Sequence, residues 1–281
     1  MKEKLIEAVL LGLALTAILS LFVITAFILQ AGLPLLISYG PWRFLTGLTW
    51  APTEGEFGIL PMLVGSLWVT VGALLFGVPL GLAVAIFAAE YAPSWAAAAM
   101  RPAIQLLAGI PSVIYGFIGL KILVPLIRDN LGGPGLSVLA GSLVLAVMIL
   151  PNVIAISEDA IRAVPQTYRD GALALGATHW QTIWRVVLPA ARSGIVAAIV
   201  LSMGRAVGET MAVIMLVGNS LRLPISPLDP ATTLTSNIGL EMGYASGAHR
   251  QALFATGIVL FVLIMALNSL ASLFRRRPAS A

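Results

Sequence analysis

The chain has 281 residues, 59% of them hydrophobic and 10% charged, with a mean hydropathy of +1.00, where an average soluble domain is roughly a quarter charged. That balance argues against a water-soluble fold, and the lack of cysteine excludes disulfides, thiolate metal sites, cysteine nucleophiles and a lipidated cysteine anchor. The net charge of +4 comes from basic residues gathered in certain connecting segments with no aromatic-interleaved stripe, which is a topology pattern and not a nucleic-acid footprint.

The first 58 residues are expected to form one helix and one loop. Lys2 and Lys4 precede an apolar run over 8–29, longer than a cleavable signal core of about 7 to 15 residues, so it is taken as an uncleaved first span. Residues 30–59 hold Pro34, Gly40-Pro41-Trp42, Pro52 and Gly55, which suits an extracytoplasmic loop with interfacial aromatics at Trp42 and Trp50. Residues 59–281 carry five further apolar segments, at 60–89, 103–127, 136–157, 190–218 and 251–274, each long enough for a hydrocarbon core about 30 Å thick. Gly77, Pro79 and Gly81 predict a kink in the second span. Lys121 lies near the outer end of the third and is expected to snorkel to that surface, with an anion-attracting vestibule as the alternative. The fold class is all-α, a polytopic membrane protein with about six transmembrane helices.

Orientation follows from the loops. With a cytoplasmic N-terminus, Lys2, Lys4, Arg101, Arg162, Arg169, Arg185, Arg192 and Arg275 to Arg277 lie inside, while Arg43, Arg128, Arg222 and Arg250 lie outside. The excess of inner basic residues places both termini in the cytoplasm, as an even number of spans requires.

Residues 158–189 form the longest polar interruption on the inner side. Pro165 suits a first helical position, Ala172 to Leu175 are helix formers, and Gly176 is placed to end that helix in a left-handed conformation. Thr178 and Gln181 have capping-box spacing for a second helix. A helix–turn–helix is predicted to protrude there, showing Tyr168, Leu173, Leu175, Trp180 and Ile183. Its own chemistry fits a partner-docking surface or an amphipathic loop lying on headgroups.

This loop resembles the cytoplasmic signature of bacterial ABC importer permeases, namely Glu-Ala-Ala, three residues, Gly, nine residues, Ile, one residue, Leu-Pro. Here Asp170-Gly171-Ala172 is followed at the same spacings by Gly176, Val186 and Leu188-Pro189. Asp170 keeps the charge, Val186 keeps the shape, and Gly171 replaces a helix former at a cost of ~1 kcal/mol. The resemblance implies the type I, MetI-like transmembrane domain and a loop that docks into a groove of an ATP-hydrolysing subunit.

In the fifth segment Arg205 lies near mid-span, where an arginine costs at least about 2.5 kcal/mol and needs a partner or a wet cavity. Arg205 and Glu209, four apart, are expected to share one face of a continuous helix, with Gly204 and Gly208 permitting close helix approach beside it. One reading is an ion pair that fixes packing. The other is a substrate gate, in which the guanidinium fork holds an oxyanion and Glu209 accepts a hydrogen bond from a protonated phosphate oxygen.

The run Gly204-Arg205-Ala206-Val207-Gly208-Glu209-Thr210 is similar to that of C-type phosphate-importer permeases. So are Glu54-Gly55-Glu56-Phe57-Gly58, Ala89-Glu90-Tyr91-Ala92-Pro93, Gly109-Ile110-Pro111-Ser112 and Leu240-Glu241-Met242-Gly243. The resemblance implies phosphate passage at Arg205 and Glu209 and a cytoplasmic-membrane complex with a second, A-type permease, two cytoplasmic ATP-binding subunits and an extracytoplasmic phosphate-binding protein. Glu54, Glu56 and Glu241 read as solvated, with contact to that binding protein as the alternative, and His179 and His249 as surface loop residues.

No cofactor or metal is expected. The three lysines, Lys2, Lys4 and Lys121, are not preceded by glycine, so no phosphate-cradling ATPase loop is present and ATP hydrolysis is assigned to other subunits. A permease for another solute, such as sulfate, molybdate or an amino acid, is the nearest rival. An ion-coupled transporter would call for paired midplane carboxylates and symmetric halves, and an intramembrane enzyme for an acid pair or metal set.

Overall fold

A computed structural model describes residues 2–275, so Arg276 and Arg277 of the basic C-terminal cluster lie outside the described residues. In chain order the elements are α1 (Lys2–Tyr39), α2 (Pro41–Thr46), β1 (Trp50–Ala51), β2 (Glu56–Phe57), α3 (Leu60–Ile86), α4 (Ser94–Gly109), α5 (Ser112–Ile118), α6 (Val124–Leu131), α7 (Val138–Arg162), α8 (Gln166–Ala174), α9 (His179–Thr182), α10 (Leu188–Gly208), α11 (Met211–Leu216), α12 (Leu234–Glu241) and α13 (Gly247–Arg275). Wider π-turns extend α3 at Phe87–Tyr91, join α5 to α6 at Gly119–Leu123 and join α9 to α10 at Ile183–Val187. Five stretches are long and apolar enough to cross a membrane, or six if Ser94–Gly109 with Ser112–Leu131 is one bent span. The chain is a multi-pass all-α membrane protein.

The α7 span is the axis of the bundle: 61% of its most apolar window is buried, against 28% for the spans of α3 and α10 and 0% for that of α1. Exposed Leu10, Leu15, Ile18 and Phe22 leave most of α1 facing outward. Val69 and Ala73 of α3, Leu145, Ile149 and Val153 of α7, and Val213 and Leu216 of α11 form the main core. The second span stays helical through Pro79, in α3. Its glycines serve packing: a Cβ at Gly77 would lie 2.8 Å from Ile149 Cδ1, and one at Gly81 2.7 Å from Val153 Cγ1, so small residues let α3 and α7 approach.

Other expected boundaries move for identifiable reasons. The first helix continues past residue 29 through Pro34 to Tyr39, so the loop that follows it starts only at Gly40. The third span is not one helix. It turns by 91° between α4 and α5, where Ile110 is extended (φ −69, ψ 126) ahead of Pro111, because a proline ring disfavours helical geometry in the residue before it. Residues 158–162, drawn as loop, are the last turn of α7.

At the end holding the β-hairpin, Trp50 pairs with Phe57 and Ala51 with Glu56. Phe44, Trp50, Phe57, Ile59, Met62 and Leu234 pack there against Leu253 of α13. Four residues expected at the solvent or membrane surface are instead engaged. Trp50 is only 6% exposed, and its Nε1 donates to Glu241 Oε2 at 2.9 Å. His249 lies in the first turn of α13, its Nε2 2.6 Å from the same carboxylate oxygen. Glu56 accepts from Tyr39 Oη at 2.6 Å and Arg43 Nη2 at 2.7 Å. The exposed side chain of Lys121 sits 6.0 Å from the Phe117 ring centroid.

Asp229 orders the neighbouring loop, its Oδ2 accepting from the backbone N–H of Ile225 at 2.9 Å and Ser226 at 2.8 Å. These donors hold its carboxyl below the usual carboxylate range. A lowered pKa contributes order that is complete above the ordinary carboxylate value and is lost as pH falls through the lowered one. The protection of the Ile225 and Ser226 amides, measured as exchange relative to the intrinsic rate at each pH, should therefore persist at neutral and mildly acidic pH and fall only in stronger acid; in Asp229→Ala it should be low throughout.

Candidate permeation site and coupling surface

The helix carrying Arg205 ends three residues later. Gly208 is the last helical residue, and Glu209 is extended (φ −70, ψ 129), so the two charges do not share a continuous helix face. Glu209 instead spans the gap to α11, its carboxylate accepting from Ala212 N at 3.3 Å while Thr235 Oγ1 donates to its carbonyl at 2.9 Å. Arg205, partly exposed, donates through Nη1 to Asn152 Oδ1 at 3.4 Å. Among the described residues no salt bridge joins Arg205 to Glu209. A glycine followed by an extended residue thus overrides the helical spacing that suggested the pair.

Among the described residues no helix packs at Gly204 or Gly208: a Cβ built on either would meet nothing within 4 Å. The expected close approach is therefore not made here, and the Arg205 end of α10 borders open space. Two interrupted segments meet beside it, as α11 packs on α5 with Gly116 so near that a Cβ would lie 2.8 Å from Met215 Sδ. One long neutral hydrogen bond leaves most of a five-donor guanidinium available to an anion. No cluster of three or more metal-ligating side chains occurs among the described residues.

At the opposite end of α10, the predicted helix–turn–helix is present. Pro165 precedes α8 as its N-cap (φ −57, ψ 140), one position earlier than expected. Gly176 adopts φ +85, and Gly176 N donates to Leu173 O at 2.9 Å while Ala177 N donates to Ala172 O at 3.1 Å. These nested bonds close the helix as a Schellman motif, which needs a left-handed residue at Gly176. The capping box forms in both directions, Gln181 N to Thr178 Oγ1 at 3.3 Å and Thr178 N to Gln181 Oε1 at 2.9 Å.

Tyr168, Leu173 and Trp180 are exposed and Leu175 is 91% so, but Ile183 is fully buried and Trp184 is exposed in its place. The connection through a π-turn into α10 rotates Ile183 inward. A shallow groove of 460 Å³ runs between the two arms, lined by Tyr168, Gly171, Ala172, Leu175, Arg185 and Val186 among others. Asp170 is exposed and accepts from Gln166 Nε2 at 3.1 Å. Leu188 and Pro189 begin α10, so this surface is continuous with the helix that carries Arg205.

Three of the arginines counted above as topology markers, Arg101, Arg162 and Arg169, also make ion pairs within the bundle. Glu158, with a side chain 5% exposed, accepts from Arg101 Nη2 at 3.0 Å and Arg162 Nε at 2.8 Å. Arg162 Nη2 also reaches Ala88 O at 2.7 Å, and Glu90 pairs with Arg169. The available sequence signal was the presence of lone acids at span ends among several arginines. Nothing in the spacing indicates which acid meets which base.

Long apolar spans, an interrupted helix whose guanidinium has no acidic partner and a helix–turn–helix continuous with that helix describe the membrane domain of a permease. The chain belongs to the family described as binding-protein-dependent transport system inner membrane component, which matches residues 77–280. It is 46% identical over 257 residues to the probable ABC transporter permease protein YqgH of Bacillus subtilis, covering 89% of this chain and 83% of that one. It is 37% identical over 273 residues to the phosphate transport system permease protein PstC of Haemophilus influenzae, covering 87% and 86%. Among solved structures, a bacterial alginate ABC transporter shares the fold with TM-score 0.69 at 19% identity over 98% of this chain and 95% of its own. The MetNI methionine ABC transporter does so with TM-score 0.57 at 20% identity, over 81% and 98%.

Proposed function

We propose that this chain is the permease subunit through which an ATP-driven importer carries inorganic phosphate across the bacterial cytoplasmic membrane. Arg205 carries the reading: an un-neutralised guanidinium at an interrupted helix end, beside open space, in a chain whose relatives include PstC proteins. A guanidinium fork suits a tetrahedral oxyanion, and the Glu209 carboxylate beside the same break favours an anion that still has a proton to donate, as phosphate does and sulfate does not.

Both termini lie in the cytoplasm in this reading, and residues 59–281 form the translocation domain after an N-terminal helix and outer loop. The open face at Gly204 and Gly208 lines half of a pathway completed by a second, A-type permease. The groove holding Asp170, Gly171, Ala172 and Gly176, with Leu188 and Pro189 at its exit, receives one of two cytoplasmic ATP-binding subunits, which supply the hydrolysis. An extracytoplasmic phosphate-binding protein delivers substrate to the hairpin end. Nucleotide then selects whether the Arg205 region opens outward or inward.

Reconstituted vesicles test this directly. Radiolabelled phosphate should accumulate only when ATP, both permeases, the ATP-binding subunits and the binding protein are all present. Accumulation of sulfate or molybdate in place of phosphate would instead support an importer of the same architecture for another oxyanion.

A further inference from the structure

Glu90 closes the helix that packs most extensively on α7, within the π-turn Phe87–Tyr91. Its side chain is 5% exposed, and both arms of the helix–turn–helix converge on it. From α8, Arg169, itself only 14% exposed, brings Nη2 to 2.6 Å from Oε1 and Nε to 3.3 Å from Oε1 and 3.4 Å from Oε2. From the start of α9, His179 Nε2 lies 3.9 Å from Oε2, and its ring meets that of Tyr91 edge-on with centroids 5.0 Å apart. Arg169 does more than neutralise Glu90, for Nη1 donates to Val164 O at 2.6 Å and Nη2 to Ile161 O at 2.9 Å. One guanidinium therefore ties α8 to the C-terminal end of α7 and to the end of α3.

Stability gives little reason for that arrangement, since a buried ion pair often does no better than apolar packing of the same volume. Geometry gives a better one. A guanidinium facing a carboxylate through several donors fixes direction as well as distance, and two further bonds to carbonyls leave Arg169 little freedom to swing. A force on the exposed face of α8 must then move Glu90 with it, and with Glu90 the α3 helix that packs on α7 and α10.

We propose that the Glu90–Arg169 pair is the mechanical link through which displacement of the helix–turn–helix reaches the permeation helices, with both residues acting as positioning residues through α3. This rests on the importer reading above. Without the pair, the docking groove would still bind its partner, but the displacement would be absorbed between α8 and α3.

The measurement is the amount of phosphate imported per ATP hydrolysed by the complete complex in vesicles, compared for wild type, Glu90→Ala and Arg169→Lys. Coupling contacts of this kind change a linked equilibrium by about 2- to 30-fold. The expected result is a fall of about tenfold in the ratio for Glu90→Ala and a smaller fall for Arg169→Lys, which keeps the charge but loses the planar fork. A ratio unchanged in both variants overturns the proposal, as does a loss of uptake and hydrolysis strictly in proportion to complex recovered. Should Glu90→Ala fail to assemble, Arg169→Lys decides alone, a lowered ratio supporting the link and an unchanged one overturning it. Failure of the wild-type complex to import phosphate at all would sink the importer reading instead.

Discussion

Arg205→Ala should abolish ATP-driven phosphate uptake while leaving the complex assembled. The two halves of that expectation come from the same geometry. An arginine within a membrane span costs at least about 2.5 kcal/mol on insertion scales, and the only hydrogen bond it makes among the described residues is a 3.4 Å contact to Asn152. Replacing it therefore removes little that holds the bundle together. Losing a desolvated, hydrogen-bonded charge partner for an anion costs about 2 to 5 kcal/mol, or roughly 30-fold to several thousandfold in the step that needs it. Arg205→Lys should keep an intermediate rate, since an ammonium retains the charge without the fork. Glu209→Gln should leave phosphate uptake measurable but let sulfate compete, because a carboxamide can donate to an anion that has no proton to give. Uptake at the wild-type rate by an assembled Arg205→Ala complex would remove Arg205 from the pathway.

Placing these residues required the structure, although naming them did not. Hydropathy located the spans because a bilayer imposes length and apolarity on a segment whatever it packs against. The helix–turn–helix was legible to the level of individual hydrogen bonds, since Gly176 and the Thr178–Gln181 box act on backbone groups no more than a few residues away. The Glu209 break was not legible. Spacing of four implies a shared face only if the helix continues, and Gly208 offered too weak a signal against a run that is apolar through Leu216. The turn at Ile110-Pro111 had a local signal in the proline, but a continuous apolar run from 103 to 127 concealed it.

Long-range charge pairing lay further from view. Arg101 lies 57 residues from Glu158, and Arg169 lies 79 from Glu90. Loop counts treat each arginine as a topological marker and give it no partner. The same residues can satisfy both demands, because pairing at the end of a span leaves the charge on the side where the loop count requires it. The arginines that the loop count marks thus also form a network that fastens α3, α4, α7 and α8 to one another.

That network carries an asymmetry with a large expected effect on stability. Glu158 is only 5% exposed, whereas Arg101 and Arg162 are 55% and 39% exposed. Removing the acid, as in Glu158→Gln, leaves two guanidinium groups that can turn to water, and Arg162 keeps its bond to Ala88 O. The loss should be about 1 kcal/mol, the scale of a solvent-accessible pair. Removing both bases, as in Arg101→Ala with Arg162→Ala, strands a buried carboxylate with no counter-charge, which costs about 3 to 5 kcal/mol. Thermal unfolding of the purified complex in detergent should therefore rank wild type above Glu158→Gln and place the double arginine variant well below both. Each single arginine variant should fall near Glu158→Gln, because the remaining guanidinium still neutralises the carboxylate. A Glu158→Gln complex less stable than the double variant would show that Glu158 is not held by these two partners alone.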